Sequence, residues 1–229
     1  MRYIYCHPLF DERKCGHRFS YELSKTFEKN HLKLERFDYR GTGESDGRFC
    51  DVTMDSLRGD LRTIIDGDRV CLIGTRFGAA VAFDFCCRNE SDVGALILIE
   101  PVVNGRSYVQ YLFRKQHLKD MMTGNGGEPA GKNNFCNLEG YKTNGKFIEQ
   151  IKGIQSVETA GKIKSPAVVH IAGISVSSRI NSKYNLLAER LKKNGVPASV
   201  EAFNLPVFWE RIPDGNYSIL TEKIVEWCR

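Results

Sequence analysis

Long apolar runs are missing from this sequence, and no stretch approaches the ~20 consecutive apolar residues that a membrane span requires. The opening residues, "MRYIYCHPLFDERK", enter a strand pattern at once and lack the apolar centre of a secretory signal, so a cytoplasmic protein is expected. There is no C-x-x-C pair among the eight cysteines, and Cys6 and Cys15 are separated by eight intervening residues. Cys71, Cys86 and Cys87 sit inside apolar runs, where a thiol behaves as a small hydrophobe, so neither disulfides nor a metal site is expected. Excess charge of one sign is slight. The net charge of +5 comes from dispersed basic residues, without the dense stripe that nucleic-acid binding needs. Histidine is scarce too, with five in the chain and none after His170. No motif calls for a cofactor.

What is present is the alternation of an α/β domain. At 229 residues and 41% hydrophobic content the chain is long enough for one substantial core. Strands are expected at 3–7, 33–41, 69–74, 95–101, 167–173 and 199–205, with helices near 17–30, 53–66, 181–194 and 217–228. The runs "RVCLIG" and "ALILIEP" are continuously apolar, as in parallel strands covered on both faces. Residues 102–164 break the rhythm with a helical stretch, "SYVQYLFRKQHLKDMM", and a loop, "TGNGGEPAGKNN", expected to be mobile. We divide the chain into a first core half, 1–101, a helical cap insertion, 102–164, and a second core half, 165–229, all within one domain. A cap placed there lies over the carboxyl ends of the strands, where open α/β sheets bind ligands.

Three short segments carry a family resemblance. "HPLF" (7–10) follows the first strand, "DYRGTGESDG" (38–47) leaves the second, and "GTRFGA" (74–79) joins a strand to a small-residue helix. In order and spacing they resemble the α/β-hydrolases, whose nucleophile stands at the centre of a G-x-S-x-G elbow. A finer resemblance is to the exosortase A system-associated hydrolases, type 2. It rests on the His7–Glu12 loop, the arginine elbow Gly74–Gly78, "PVVNGRSYVQYL" from Pro101, Gly140-Tyr141, and Phe208-Trp209. This resemblance implies an α/β-hydrolase-like fold: a mainly parallel sheet of about six strands, helices on both faces and an inserted helical cap. It also implies that the chain starts at the superfamily's third strand, leaving a sheet without the usual two-strand edge.

The resemblance also locates where a catalytic triad would stand. The nucleophile position holds Arg76, whose guanidinium is charged and not nucleophilic. The acid position, "GISVSSRI" (173–180), contains no carboxylate, and the histidine position, "NLPVFWERIP" (204–213), contains no histidine. With all three places changed, a serine-hydrolase mechanism is not expected.

Two readings of Arg76 stand side by side. In one, Glu100, at the end of the neighbouring strand, pairs with Arg76 and closes the site. In the other, Arg76 and the oxyanion-type N–H groups of Phe77 and Leu9 hold an anion at a helix start. Trp209 then either stacks on the ligand or fills the space left by a missing histidine. Glu100 and His7, with His117 beside them, are rival general bases for a rearranged hydrolase. Arg114, Lys115 and Lys119 share the expected cap helix with His117 and read as largely solvated. Ser175, Ser177 and Ser178 are expected to cap the vacant acid turn, and Asp38 and Arg40 to fix the strand-exit loop. The function expected is non-catalytic binding or scaffolding. Its partner would be an anionic small molecule or acyl or sugar conjugate at the elbow, or, by the family resemblance, a companion protein of an exosortase and exopolysaccharide system.

Overall fold

The strands "VCLIGT" and "VGALILI" are buried at every position, and they form the centre of the molecule. The structure, a computed structural model, describes residues 1–88, 93–123, 134–163, 165–177, 179–211 and 215–229. Most of the glycine-rich loop at 123–134, and Ser178, therefore lie outside the described residues. In chain order the strands are β1 (Arg2–Cys6), β2 (Leu34–Arg36), β3 (Val70–Thr75), β4 (Val93–Ile99), β5 (Phe135–Leu138), β6 (Tyr141–Asn144), β7 (Val168–Ile174) and β8 (Ala198–Phe203). The helices are α1 (Asp11–Lys29), α2 (Met54–Ile65), α3 (Phe77–Arg88), α4 (Gly105–Thr123), α5 (Gly145–Lys152), α6 (Ser156–Thr159), α7 (Ser182–Lys193) and α8 (Ser218–Trp227).

Six strands pair in the order β2-β1-β3-β4-β7-β8, all parallel, as the sequence pattern predicts. Alternate side chains along these strands serve two separate cores, because successive residues of a strand face opposite sides. Leu72, Leu96, Leu98 and Ile171 pack with α2, α3 and α7, whereas Cys71, Ile73, Ile97 and Ala172 pack with α1 and α8. All eight cysteines are free thiols. Among the described residues no helix is long and apolar enough to cross a membrane.

Two local features differ from the sequence reading. The first helix begins at Asp11 rather than near 17, directly after Phe10 turns the chain with a φ of 57°. Its buried stripe is Glu12, Gly16, Phe19, Ser20, Leu23 and Phe27, so a glutamate sits among the core-facing positions. The segment expected to be a helical cap also holds an antiparallel hairpin, β5–β6, between α4 and α5. Glu139 and Gly140 join its strands with φ of 55° and 93°. Positive φ at both central residues is the tight hairpin turn whose twist matches that of the strands.

Candidate functional site: an arginine elbow

The strand β3 ends at Thr75, and the chain turns into α3 through Arg76, whose φ is 54°. The flanking glycines exist because the turn is tightly packed. A Cβ on Gly74 would meet Cα of Ala79 at 2.5 Å, and one on Gly78 would meet the Cys6 carbonyl oxygen at 2.2 Å. Arg76 is tied through its backbone as well: its N–H donates to the Ile99 carbonyl at 2.9 Å, and its own carbonyl accepts from Val102 at 3.3 Å. One strand over, Glu100 leaves β4 with a φ of 45°. Two adjacent strand ends thus turn on charged residues held in the left-handed region, which non-glycine residues seldom occupy.

The Arg76 side chain does not form the expected pair with the Glu100 carboxylate. Its Nε and Nη2 donate to Oε1 of Glu12 at 3.1 and 3.0 Å, while Nη1 donates to the main-chain carbonyl of Glu100 at 3.3 Å. Glu12 is fully buried, and its Oε2 accepts from the Tyr108 hydroxyl of α4 at 3.0 Å. The guanidinium carbon lies 4.9 Å from the ring centre of Trp209 and 5.8 Å from that of Tyr108. Burial alone would make Arg76 easier to deprotonate, but the charge and hydrogen bonds of Glu12, together with nearby Tyr108 and Tyr184, outweigh it and hold the guanidinium charged. Glu100 is satisfied differently: Tyr184 donates its hydroxyl to Oε1 at 2.9 Å and the Ile174 N–H donates to Oε2 at 2.7 Å.

Beside the elbow lies an open cleft of about 200 Å³, lined in part by Arg76, Glu100, Ser107, Tyr111, Lys183 and Tyr184. The start of α7, where the Asn181 side chain accepts from the Lys183 N–H at 3.1 Å, opens onto it. The start of α4, where Asn104 accepts from Ser107 at 2.9 Å, opens onto it as well. Of the five N–H bonds of Arg76, one on Nη1 and one on Nη2 remain uncommitted among the described residues. The cleft thus sets a guanidinium, an ammonium and two helix starts, which favour negative charge, beside the Glu100 carboxylate, which opposes it.

The other residues singled out in the sequence separate spatially. Leu9 and Phe77 are fully buried and do not line the cleft, nor does Trp209, whose ring packs on Arg76 and Phe208. His7 belongs to a different groove, of about 830 Å³, between α1 and β2, so it does not share a cavity with Glu100. The His7 Nδ1 lies 2.7 Å from the Pro8 carbonyl oxygen, which assigns the proton to Nδ1. Burial then lowers its pKa to about 4. His117 is exposed on α4. Ser175 and Ser177 bond to each other at 3.0 Å within their own turn. Asp38 accepts from the Glu44 N–H at 3.0 Å and so ties the strand-exit loop, whereas Arg40 reaches out to Asp60 on α2 at 2.6 Å.

Glu12 is the residue that sequence reasoning passed over. It lay inside the quoted His7–Glu12 loop, and the signal was available: an acid on the helical stripe shared with Phe19, Leu23 and Phe27. An acid at such a position needs a buried partner.

The parallel six-strand sheet, the strand–turn–helix elbow and the helices on both faces define the α/β-hydrolase fold. Residues 15–124 match the family model described as serine aminopeptidase, S33. Among solved structures the chain is similar to Est1E from Butyrivibrio proteoclasticus with ferulic acid bound, at 15% identity and a TM-score of 0.70 over 99% of this chain and 87% of that one. It is also similar to α/β-hydrolase domain-containing protein 10 from mouse, at 17% identity and a TM-score of 0.63 over 99% and 88%. A lipase-esterase related protein from Clostridium acetobutylicum gives 14% identity and a TM-score of 0.64 over 98% and 93%. No curated protein matches the sequence. At these identities the likeness is one of fold.

Proposed function

We propose that this protein is a non-catalytic chain of the hydrolase fold that binds a small anionic ligand in the elbow cleft. The observation that carries this reading is the state of Arg76. A charged side chain tied to a buried glutamate stands where the fold presents its nucleophile, with two N–H bonds left over beside the cleft. Guanidinium cannot attack a carbonyl, but it binds carboxylates and phosphates well. The absence of carboxylate from 173–180 and of histidine from 204–213 supports the same reading. His7 and Glu100 line different cavities, so a rearranged hydrolase would have to use one or the other as its base, Glu100 being the one that lines the elbow cleft. On the resemblance to the exosortase-associated hydrolases, we further propose that the ligand is an acyl or sugar conjugate of exopolysaccharide production, or that a companion protein of that system presents it.

Calorimetric titration with glucuronate, acetate and inorganic phosphate tests the binding. Saturable heat is expected for at least one, weakened at least tenfold by Lys183→Glu. Short-chain nitrophenyl esters should show no turnover with the wild type or with Arg76→Ser. Esterase activity in the pure wild type that disappears in Glu100→Gln or His7→Ala would overturn the proposal.

A further inference from the structure

We infer that the elbow cleft selects a small zwitterion, a ligand whose anionic group and ammonium stand a few bonds apart. The inference rests on the reading of the cleft as an anion site and adds the second charge that the ligand carries. The charges around the cleft do not all favour an anion. That of Arg76 is already balanced by the buried Glu12 carboxylate, which accepts two of its N–H groups on one oxygen. Two further charged residues line the cleft, Lys183 and Glu100, one of each sign. A ligand bearing only negative charge would therefore sit beside a carboxylate of its own sign, which weakens binding.

Lys183 and Glu100 do not neutralise each other. Lys183 is exposed in the first turn of α7 and has no carboxylate partner among the described residues. Glu100 is partly exposed, directly after β4, and its carboxylate is held by two neutral donors, the Tyr184 hydroxyl on Oε1 and the Ile174 N–H on Oε2. Each carboxylate oxygen accepts two hydrogen bonds, so each keeps one place among the described residues. The Glu100 main chain is fixed as well, its N–H donating to the Ala172 carbonyl at 2.8 Å.

A cation without a partner and a carboxylate with spare acceptor capacity thus line one cleft without meeting. A zwitterion answers both. Its anionic group meets Lys183, the uncommitted N–H groups of Arg76 and the starts of α4 and α7, and its ammonium donates to Glu100. Glu210, which accepts from the Tyr111 hydroxyl at 3.2 Å, is exposed and does not line the cleft. The volume of about 200 Å³ lies below the roughly 300 Å³ at which pockets for drug-sized ligands begin, so the ligand is small.

Calorimetric titration of the full chain with β-alanine, phosphoethanolamine, propionate, inorganic phosphate and ethylamine tests the inference. β-Alanine joins the charges of propionate and ethylamine in one molecule, and phosphoethanolamine does the same for phosphate and ethylamine. At least one zwitterion is expected to bind tenfold or more tightly than either of its single-charge parents. The tighter of the two names the anionic group as carboxylate or phosphate. Glu100→Gln should abolish this preference, whereas Lys183→Ala should weaken the zwitterion and its anionic parent alike, each variant being checked for folding by circular dichroism. Propionate and phosphate binding as tightly as the zwitterions would overturn the inference and leave the anion reading standing. No saturable heat from any probe would end both. Ethylamine binding as tightly as the zwitterions, or a preference that survives Glu100→Gln, would also overturn it.

Discussion

Glu12 and Glu100 flank the same guanidinium and meet it in different ways. Glu12, with no exposure, takes both the Nε and Nη2 hydrogen bonds on one carboxylate oxygen and a tyrosine hydroxyl on the other. Glu100, partly exposed, lends Arg76 only its main-chain carbonyl, and its carboxylate rests on two neutral donors, Tyr184 and the Ile174 N–H. Depth explains the division. A carboxylate removed wholly from water needs an opposite charge, whereas one still in contact with solvent is satisfied by ordinary hydrogen bonds. Nearness along adjacent strand ends did not decide the partner.

The largest expected effect is at Glu12. Glu12→Gln leaves the Arg76 charge buried without its counter-charge, which should cost ~3–5 kcal/mol in denaturant unfolding. A loss under about 1 kcal/mol would show that Arg76 does not depend on Glu12 and would break the contrast with Glu100.

His7 extends the comparison to a buried group that stays neutral. Its pKa is lowered to about 4 from the ordinary 6.5, first by burial and then by nearby Arg13, against the pull of Asp38. The unfolded chain therefore takes up a proton near pH 6.5 that the folded chain refuses until about pH 4. Stability should fall as pH drops through this window and level off below it, losing about 3 kcal/mol from this group in total. His7→Asn keeps a donor for the Pro8 carbonyl and should remove that part of the pH dependence in urea unfolding curves.

Tyr108→Phe takes one hydrogen bond from the buried Glu12 carboxylate and should cost about 2 kcal/mol, an amount typical of bonds to charged groups. The smallest effect belongs to Glu100→Gln. The amide oxygen can still accept from Tyr184 or Ile174, so the loss should stay below about 1 kcal/mol. A larger loss there than at Glu12 would reverse the assignment of partners.

Much of the fold was legible in advance. Continuous apolar runs such as "VCLIGT" admit few structures other than buried parallel strands, and the strands and later helices lie close to where periodicity puts them. The hairpin at 135–144 was hidden because each strand has only four residues and the turn is signalled by Glu139-Gly140 rather than by Asn-Gly or Asp-Gly. At the site, the elbow and its arginine were readable from two glycines and their spacing. The partner of Arg76 was not, because Glu12 is 64 residues away in the chain.

The sequence by itself determined that a strand–turn–helix elbow exists and that an arginine stands on it. Glycine spacing and apolar runs are local signals, and local sterics suffice to interpret them. Only the tertiary structure decided which negative charge Arg76 holds. Tyr108 of α4 and the ring of Trp209 enclose the guanidinium together with Glu12 of α1, and exclusion of water makes that glutamate the partner. Exclusion of water is a property of packed elements from distant parts of the chain.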